Sequence, residues 1–312
     1  MPEIENYIVL KNVDSSIQIL NPIISNYGLE FIIVDSTLII SDFLDFFKPR
    51  TLNTGNITIQ SIISDIYSGP LGRDLSINGC LVFIKEKQNN FVSTVDNFGD
   101  GHIKLMSYLV NLHKKEDEWI TKLRLLGKGD IGSFAGFQMI RETRECINQQ
   151  HLINPLPFGE LYAINSDLFE RASLIFSQNL FKREYIRNSL IYFNLTYSFT
   201  DLKAKFLNLM ISLECIFNSG KDQISHTISR HIAVILSTNK EEFATYYKQC
   251  KKLYNLRSQI VHGQKVLKDE DIKESLEILQ SFVRSIIIYC VNLDLEKDLL
   301  FEKLNYMGFI TD

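Results

Sequence analysis

The sequence has few of the residues that define small secreted or fibrous proteins. Its 312 residues include only five cysteines, six prolines and one tryptophan. The cysteines are odd in number and lie far apart, whereas disulfide scaffolds have dense, even sets and zinc sites have close pairs. We therefore expect reduced, structural thiols, and we predict no disulfide framework, no metal site and no cofactor.

The sequence also lacks a long uninterrupted apolar run and a strong excess of either charge. It has 33 Lys+Arg against 37 Asp+Glu, with 45% hydrophobic residues, which is the composition of an ordinary folded protein. Asp35, Asp42 and Asp45 interrupt the apolar stretch at residues 31–47, and the start Met-Pro-Glu-Ile-Glu is unlike a signal peptide. We predict a soluble, cytoplasmic protein that does not contact a membrane.

The first half of the chain is predicted to mix strands with a helix. Short β-branched or aromatic runs between Asn, Gly and Asp predict strands at residues 7–10, 17–24, 29–40, 57–62, 81–84 and 118–126. A hairpin is expected from residues 77–84 and 91–95, and a helix from residues 102–115. The glycines of residues 127–132 match a dinucleotide-binding string, but Asp130 would crowd a pyrophosphate, so we interpret this segment as a loop.

The second half is predicted to be entirely helical. Apolar spacing and capping residues predict helices at residues 166–179, 185–194, 201–217, 222–236, 240–262 and 269–294. Pro155 and Pro157 mark the expected boundary. The fold class is therefore predicted to be α+β, with a mixed α/β domain at residues 1–155 and an all-α bundle at residues 156–312.

Charge is distributed unevenly within the second half. Residues 182–257 contain twelve Lys+Arg against six Asp+Glu, and residues from 269 to the end contain four against ten. Such runs are often the solvated faces of amphipathic helices. The alternative is that the basic stretch contacts phosphates.

One short segment, Leu253-Tyr-Asn-Leu-Arg257-Ser-Gln-Ile-Val-His262-Gly263, ends a predicted helix with an arginine and a histidine. It resembles the R-x4–6-H signature of HEPN domains, and most closely the ApeA-like HEPN group, in which a tyrosine precedes the arginine and the segment ends in Val-His-Gly. The helices around Glu214 and Arg230 and the Leu-Arg-Leu stretch before Gly127 fit the same group. The resemblance covers about residues 119–290, and residues 1–115 are not part of it.

The resemblance implies a metal-independent endoribonuclease of antiviral (phage) defence or of a toxin system that acts on RNA, with tRNA as one candidate substrate. His262 would transfer a proton, because histidine titrates near neutrality, and Arg257 would contact phosphate oxygens with its planar fork. Positions five apart on a helix lie about 140° apart around its axis. The resemblance accordingly implies a homodimer that builds one cleft from two copies of the pair. Asn255 is expected to support the site, and Glu214 and Arg230 are expected to pair with each other.

The alternative function is a non-catalytic HEPN-type dimerisation or interaction module. Arg257 would then form a salt bridge, and His262 would cap the last carbonyls of its helix. An open, basic cleft around the two residues favours the enzyme, whereas a buried, fully hydrogen-bonded pair favours the module. In the enzyme, the first domain is expected to be a sensor or regulatory domain that receives a phage-derived or other trigger.

Overall fold

The computed structural model describes residues 4–34, 80–88, 117–140, 146–151, 160–165, 168–218, 224–263 and 268–307. The chain divides into two compact units, Met1–Phe176 and Ser177–Asp312. Most of the described residues are helical, and the described part of the second unit contains helices without strands. The predicted helical C-terminal region is thus confirmed.

An antiparallel sheet of five strands forms the framework of the first unit. The strands are β1 (Ile4–Val13), β2 (Leu29–Val34), β3 (Cys80–Gln88), β4 (Gly132–Ile140) and β5 (Cys146–His151), in the order β2-β3-β1-β4-β5. The central strand β1 places Ile8 opposite Ile84 of β3 and Gly136 of β4. The strands predicted at residues 7–10, 29–40 and 81–84 are confirmed where the structure describes them.

Two predicted strands of the first unit are helical instead. Residues 17–24 form a 3-10 helix, Ser15–Leu20, followed by the short helix α1, Asn21–Ile24. Asp14 begins this segment by accepting a hydrogen bond from the Ser16 amide at 2.7 Å. The buried side chains recur at three- and four-residue spacing, which is a helical period that the β-branched composition concealed.

Residues 117–126 form helix α2, where the sequence predicted a strand. Residues 120–127 are all buried. Because burial is continuous along this run, its apolar pattern has no period that would distinguish a buried helix from a buried strand. Thr121 Oγ1 donates to the Asp117 carbonyl at 2.6 Å, one helical turn back.

Tyr162 is the buried anchor of the first unit. Its side chain is fully buried, and its hydroxyl donates to the Leu123 carbonyl of α2 at 2.5 Å. Its backbone amide donates to the Asn12 carbonyl at 3.0 Å, and its own carbonyl accepts from the Asp14 amide at 3.0 Å. Tyr162 therefore joins α2 to the end of β1.

The division between the two units falls later than the predicted boundary between residues 155 and 156. Tyr162 bridges to Val13 of β1, and helix α3, Phe169–Ser177, follows it. Lys122 of α2 donates to the carbonyl of Phe176 in α3 at 3.3 Å. The segment up to Phe176 thus packs with the sheet unit.

Several predicted features of the first half lie outside the described residues. They are Pro155, Pro157, the strand at residues 57–62, the second strand of the hairpin and the helix at residues 102–115.

Six helices build the described part of the second unit. They are α4 (Glu184–Leu195), α5 (Leu202–Phe217), α6 (Ile224–Leu236), α7 (Lys240–His262), α8 (Asp269–Leu293) and α9 (Lys297–Met307). The first five confirm predicted helices, and α9 was not predicted. Asp201 and Asn239 cap α5 and α7 by accepting backbone hydrogen bonds at 2.7 and 2.9 Å, and Gly263 ends α7 in the left-handed conformation.

The helices of the second unit differ in how much of their surface is buried. Helix α8 has ten buried residues and packs against α5, α4 and α6. Among the described helices it is the one long and apolar enough to cross a membrane. The core helix of a soluble protein also meets this criterion of length and composition. Helix α7 packs mainly on α6, and only Cys250 and Leu253 are buried in it. Helix α7 is therefore a surface helix with a wide exposed side.

The close approach of Gly129 to Tyr162 predicts a large cost for Gly129→Ala. Gly129 has φ +106, and an added Cβ would lie 2.6 Å from the Tyr162 Cα, which is backbone and cannot turn away. We expect a loss of about 2–3 kcal/mol in the free energy of unfolding of the first unit. Denaturant titration followed by the fluorescence of Trp119, the single tryptophan, reports on this unit.

The matched control is Gly28→Ala. Gly28 also has a positive φ, +73, but nothing lies within 4 Å of an added Cβ, so only the backbone conformation is penalised. Its expected cost is about 1 kcal/mol. Equal losses in the two variants would contradict a role for the Tyr162 contact.

Candidate functional site

Arg257 is held by an ion pair in the second unit. Its Nε lies 3.0 Å from Glu214 Oε1, and its Nη2 donates to Glu214 Oε2 at 3.4 Å. The Nε–H group is not directed at a hydrogen-bond acceptor, so the shorter contact is mainly electrostatic. The Arg257 side chain is 34% exposed and that of Glu214 is 18% exposed. The pair therefore lies at the edge of the bundle, between α7 and α5.

Tyr254 completes this cluster from the preceding turn of α7. Its hydroxyl donates to Glu214 Oε1 at 3.2 Å. Burial raises the pKa of Tyr254 well above its usual range, and the negative charge of Glu214 raises it further. The phenol therefore stays protonated and acts as a hydrogen-bond donor. We refer to Glu214, Tyr254 and Arg257 as the Glu214 cluster.

His262 lies at the exposed end of α7. It is the last helical residue, and Gly263 follows it with φ +61 and with nothing within 4 Å of the position of a Cβ. Its ring makes no hydrogen bond or ion pair with the residues that the structure describes. Because five positions rotate about 140° around a helix, His262 faces away from the side of α7 that carries Arg257. Within one chain, the two side chains therefore leave the helix in different directions.

The other two histidines of the second unit are engaged. His226 Nδ1 lies 2.8 Å from the Tyr247 hydroxyl. His231 is buried, its Nε2 lies 3.2 Å from Asn305 Oδ1, and burial lowers its pKa, so the ring is held neutral. His262 is therefore the histidine of this unit that is best placed to exchange protons with a bound molecule.

The structure separates the expected supporting residues. Asn255 is exposed and lies two helical turns before His262, on the same side of α7. Arg230 donates to the Leu304 carbonyl at 3.3 Å and to the Asn305 carbonyl at 3.2 Å, near the end of α9. The predicted Glu214–Arg230 pair is wrong. The last carbonyls of a helix lack helical partners and attract a guanidinium. Helix α9, which supplies these carbonyls, was not among the predicted helices.

A cleft of about 690 Å³ opens beside the Glu214 cluster, and no pattern in the sequence predicts it. Its walls come from α4, α5 and the start of α9, and it is lined by Glu184, Tyr185, Asn188, Ile211, Glu214, Cys215, Asn218, Glu296 and Lys297. Lys297 donates to the Cys215 carbonyl at 2.9 Å, and burial lowers the pKa of its ammonium group. Glu214 lines this cleft and also forms the ion pair with Arg257.

The described residues contain no group of three His, Cys, Asp or Glu side chains close enough to hold a metal ion. Comparison of the chain with known proteins finds no matching family model, no matching curated protein and no matching solved structure. The HEPN resemblance therefore stays a prediction that depends on the motif residues.

The contacts of Glu214 predict that it is coupled to Arg257 and not to Arg230. In a double-mutant cycle with Glu214→Gln and Arg257→Gln, we expect a coupling of about 1 kcal/mol in the free energy of unfolding, because the pair is partly exposed. Denaturant titration of the full chain, followed by far-ultraviolet circular dichroism, measures this value. The matched cycle with Glu214→Gln and Arg230→Gln should give a coupling near zero. A larger coupling to Arg230 would contradict the observed pairing.

Proposed function

We propose that the chain is a metal-independent endoribonuclease of HEPN type that acts as a homodimer. The observation that most supports this function is the exposed His262 at the end of α7, which has no hydrogen-bond or ion-pair partner among the described residues and lies five residues after the partly exposed Arg257. The imidazole takes the proton from a ribose 2′-OH or returns one to the leaving 5′-oxygen. Arg257 stabilises the negative charge that develops on the phosphate.

The helical geometry explains why the enzyme needs two copies. Arg257 and His262 of one chain leave the helix in directions about 140° apart, so one chain does not automatically aim both groups at the same phosphate. A twofold axis near the ends of two α7 helices brings His262 of one chain towards Arg257 of the other. Val261 lies between the two motif residues and is 52% exposed, which supplies an apolar contact for such a dimer.

Glu214 acts as a positioning residue in this proposal. It engages Nε and Nη2 of Arg257, and Nη1 forms no hydrogen bond or ion pair with a described residue. Because a guanidinium has five N–H donors in a rigid plane, the Nη1 side remains available for a phosphate oxygen while the other side is anchored. Tyr254 fixes the carboxylate in turn.

The proposed setting is a cytoplasmic enzyme of antiviral defence or a toxin system that cuts RNA, with tRNA as one candidate substrate. Only the HEPN resemblance supports this setting. The first unit, with its separate sheet, is proposed to be the sensor or regulatory part that responds to a phage-derived or other trigger.

The second candidate function is a non-catalytic HEPN-type interaction module. The Glu214 cluster favours it, because an arginine whose charge is neutralised by a nearby carboxylate can have a purely structural role. In that case, α7 would dimerise or bind a partner, and His262 would be an ordinary helix terminus.

The enzyme is expected to cleave RNA in the presence of EDTA. Attack by the 2′-OH leaves a 2′,3′-cyclic phosphate or a 3′-phosphate together with a 5′-OH, and DNA should stay intact because it lacks that hydroxyl. His262→Ala should lower the cleavage rate by about 100-fold or more, as expected for the loss of a proton-transfer group. Gel analysis of RNA products with end-group labelling measures both results.

The matched control for that experiment is Asn292→Ala, which removes an exposed polar side chain of α8. It should cleave at the rate of the original chain. Products with a 5′-phosphate, or equal rates for His262→Ala and the original chain, would eliminate the proposed mechanism and leave the interaction module.

A shared active site predicts that two inactive variants complement each other. An Arg257→Ala chain still supplies His262, and a His262→Ala chain still supplies Arg257, so a mixed dimer retains one complete pair. After subunit exchange at equal concentrations, about half of the dimers should be mixed, and activity should reappear. Light scattering checks that each variant remains a dimer. Dimers that exchange subunits without regaining activity would contradict a site shared across the axis.

A further inference from the structure

Helix α7 carries an unbalanced positive charge over most of its length. From Phe243 to its end it contains four lysines and arginines, Lys248, Lys251, Lys252 and Arg257, and no acidic residue. The neighbouring helix α6 contains Arg230 and no acidic residue. Glu214 balances Arg257, but none of the three lysines forms an ion pair with a residue that the structure describes. The charge of these lysines is therefore not neutralised by an acidic side chain that the structure describes.

The lysines lie on the side of α7 that leads to His262. By helical rotation, Lys248, Lys251, Asn255 and His262 fall within about 60° of one another around the axis. Lys248, Asn255 and His262 are exposed, as is the adjacent Lys252, and Lys251 is half-buried with Nζ 3.3 Å from Ser225 Oγ. We call Lys248, Lys251, Lys252 and Asn255 the α7 basic stripe, and His262 lies beyond its end. The helix rises about 21 Å from Lys248 to His262.

An aromatic group borders the start of the α7 basic stripe. Tyr247 is half-buried, and the His226 ring meets it edge-on with ring centres 5.8 Å apart. The His226–Tyr247 hydrogen bond of 2.8 Å fixes the two rings, and Phe243 lies parallel to Tyr247 one turn earlier at 6.2 Å. Cations next to a fixed aromatic ring are the combination that binds single-stranded nucleic acids, since phosphates contact the cations and bases stack on the rings.

We propose that the α7 basic stripe binds the backbone of single-stranded RNA and directs the strand to His262. The inference rests on the proposed function, and it assigns to that function a substrate-binding surface separate from the Arg257–His262 pair. Three uncompensated lysines in a row complement a polyanion, and the row ends at an exposed histidine. A phosphate chain along the stripe would therefore present its ribose hydroxyls near the imidazole.

The test measures binding of the full chain to fluorescein-labelled single-stranded RNA in which every 2′-oxygen is methylated, which prevents cleavage. Fluorescence anisotropy gives the affinity over a range of salt concentrations. In the variant K248Q/K251Q/K252Q, the affinity at low salt should fall by about tenfold or more, and the slope of log K against log [salt] should decrease by about 2 for three lost contacts. Tyr247→Leu should weaken binding without changing that slope.

The matched control is K203Q/K273Q/K303Q, which removes three exposed lysines from α5, α8 and α9 and gives the same change in net charge. It should bind RNA as the original chain does. Equal weakening in the two triple variants would overturn the inference, because only the net charge would then matter. Displacement of the RNA by polyglutamate at equal charge concentration would also overturn it and assign the stripe to an acidic protein.

His262→Ala separates this inference from the proposed function. The variant should bind the methylated RNA normally and fail to cleave unmodified RNA. If it cleaves normally while the stripe variant loses binding, the proposed catalytic pair is wrong and the binding surface stands. If it loses cleavage while the stripe variant binds normally, the pair stands and the binding surface is wrong.

Discussion

The rotation of an α-helix is the constraint on which the candidate site depends. Helix α7 turns about 100° per residue, so Arg257 faces α5 while His262, five residues later, faces solvent. The same rotation puts Asn255 and the lysines on the side of His262. One side of α7 therefore packs against the bundle, and the opposite side is open to solvent. The homodimer that we propose would bring the two motif residues together across a twofold axis.

The sequence predicted the helices of the second unit well because their residues carry local signals. Asp201, Asn239 and Gly263 begin or end helices by interactions with their own backbone neighbours, and such signals do not depend on distant parts of the chain. Residues 117–126 had no such signal, since every residue from 120 to 127 is buried and the apolar pattern therefore has no helical period. Helix α9 was missed although Leu300 and Leu304, both fully buried, repeat at helical spacing.

The site could be predicted only in part, because a motif names residues but not their partners. The sequence identified Arg257, His262 and Glu214, yet it assigned Glu214 to Arg230. Which of the two arginines pairs with Glu214 depends on how four helices pack, and one of them, α9, offers carbonyl groups that compete for Arg230. The cleft beside Glu214 has no sequence signal, since its walls come from three separate helices. Partner choice is thus a tertiary property.

The open space beside Glu214 has a consequence for the timescale of events at Arg257. The carboxylate borders a cleft, and a third of the arginine side chain is exposed, so water reaches both members of the ion pair. Exchange of such a pair needs only the rotation of side-chain torsions, whereas helix movements are slower by several orders of magnitude. Release of Arg257 from Glu214 therefore does not require a movement of the helices around it.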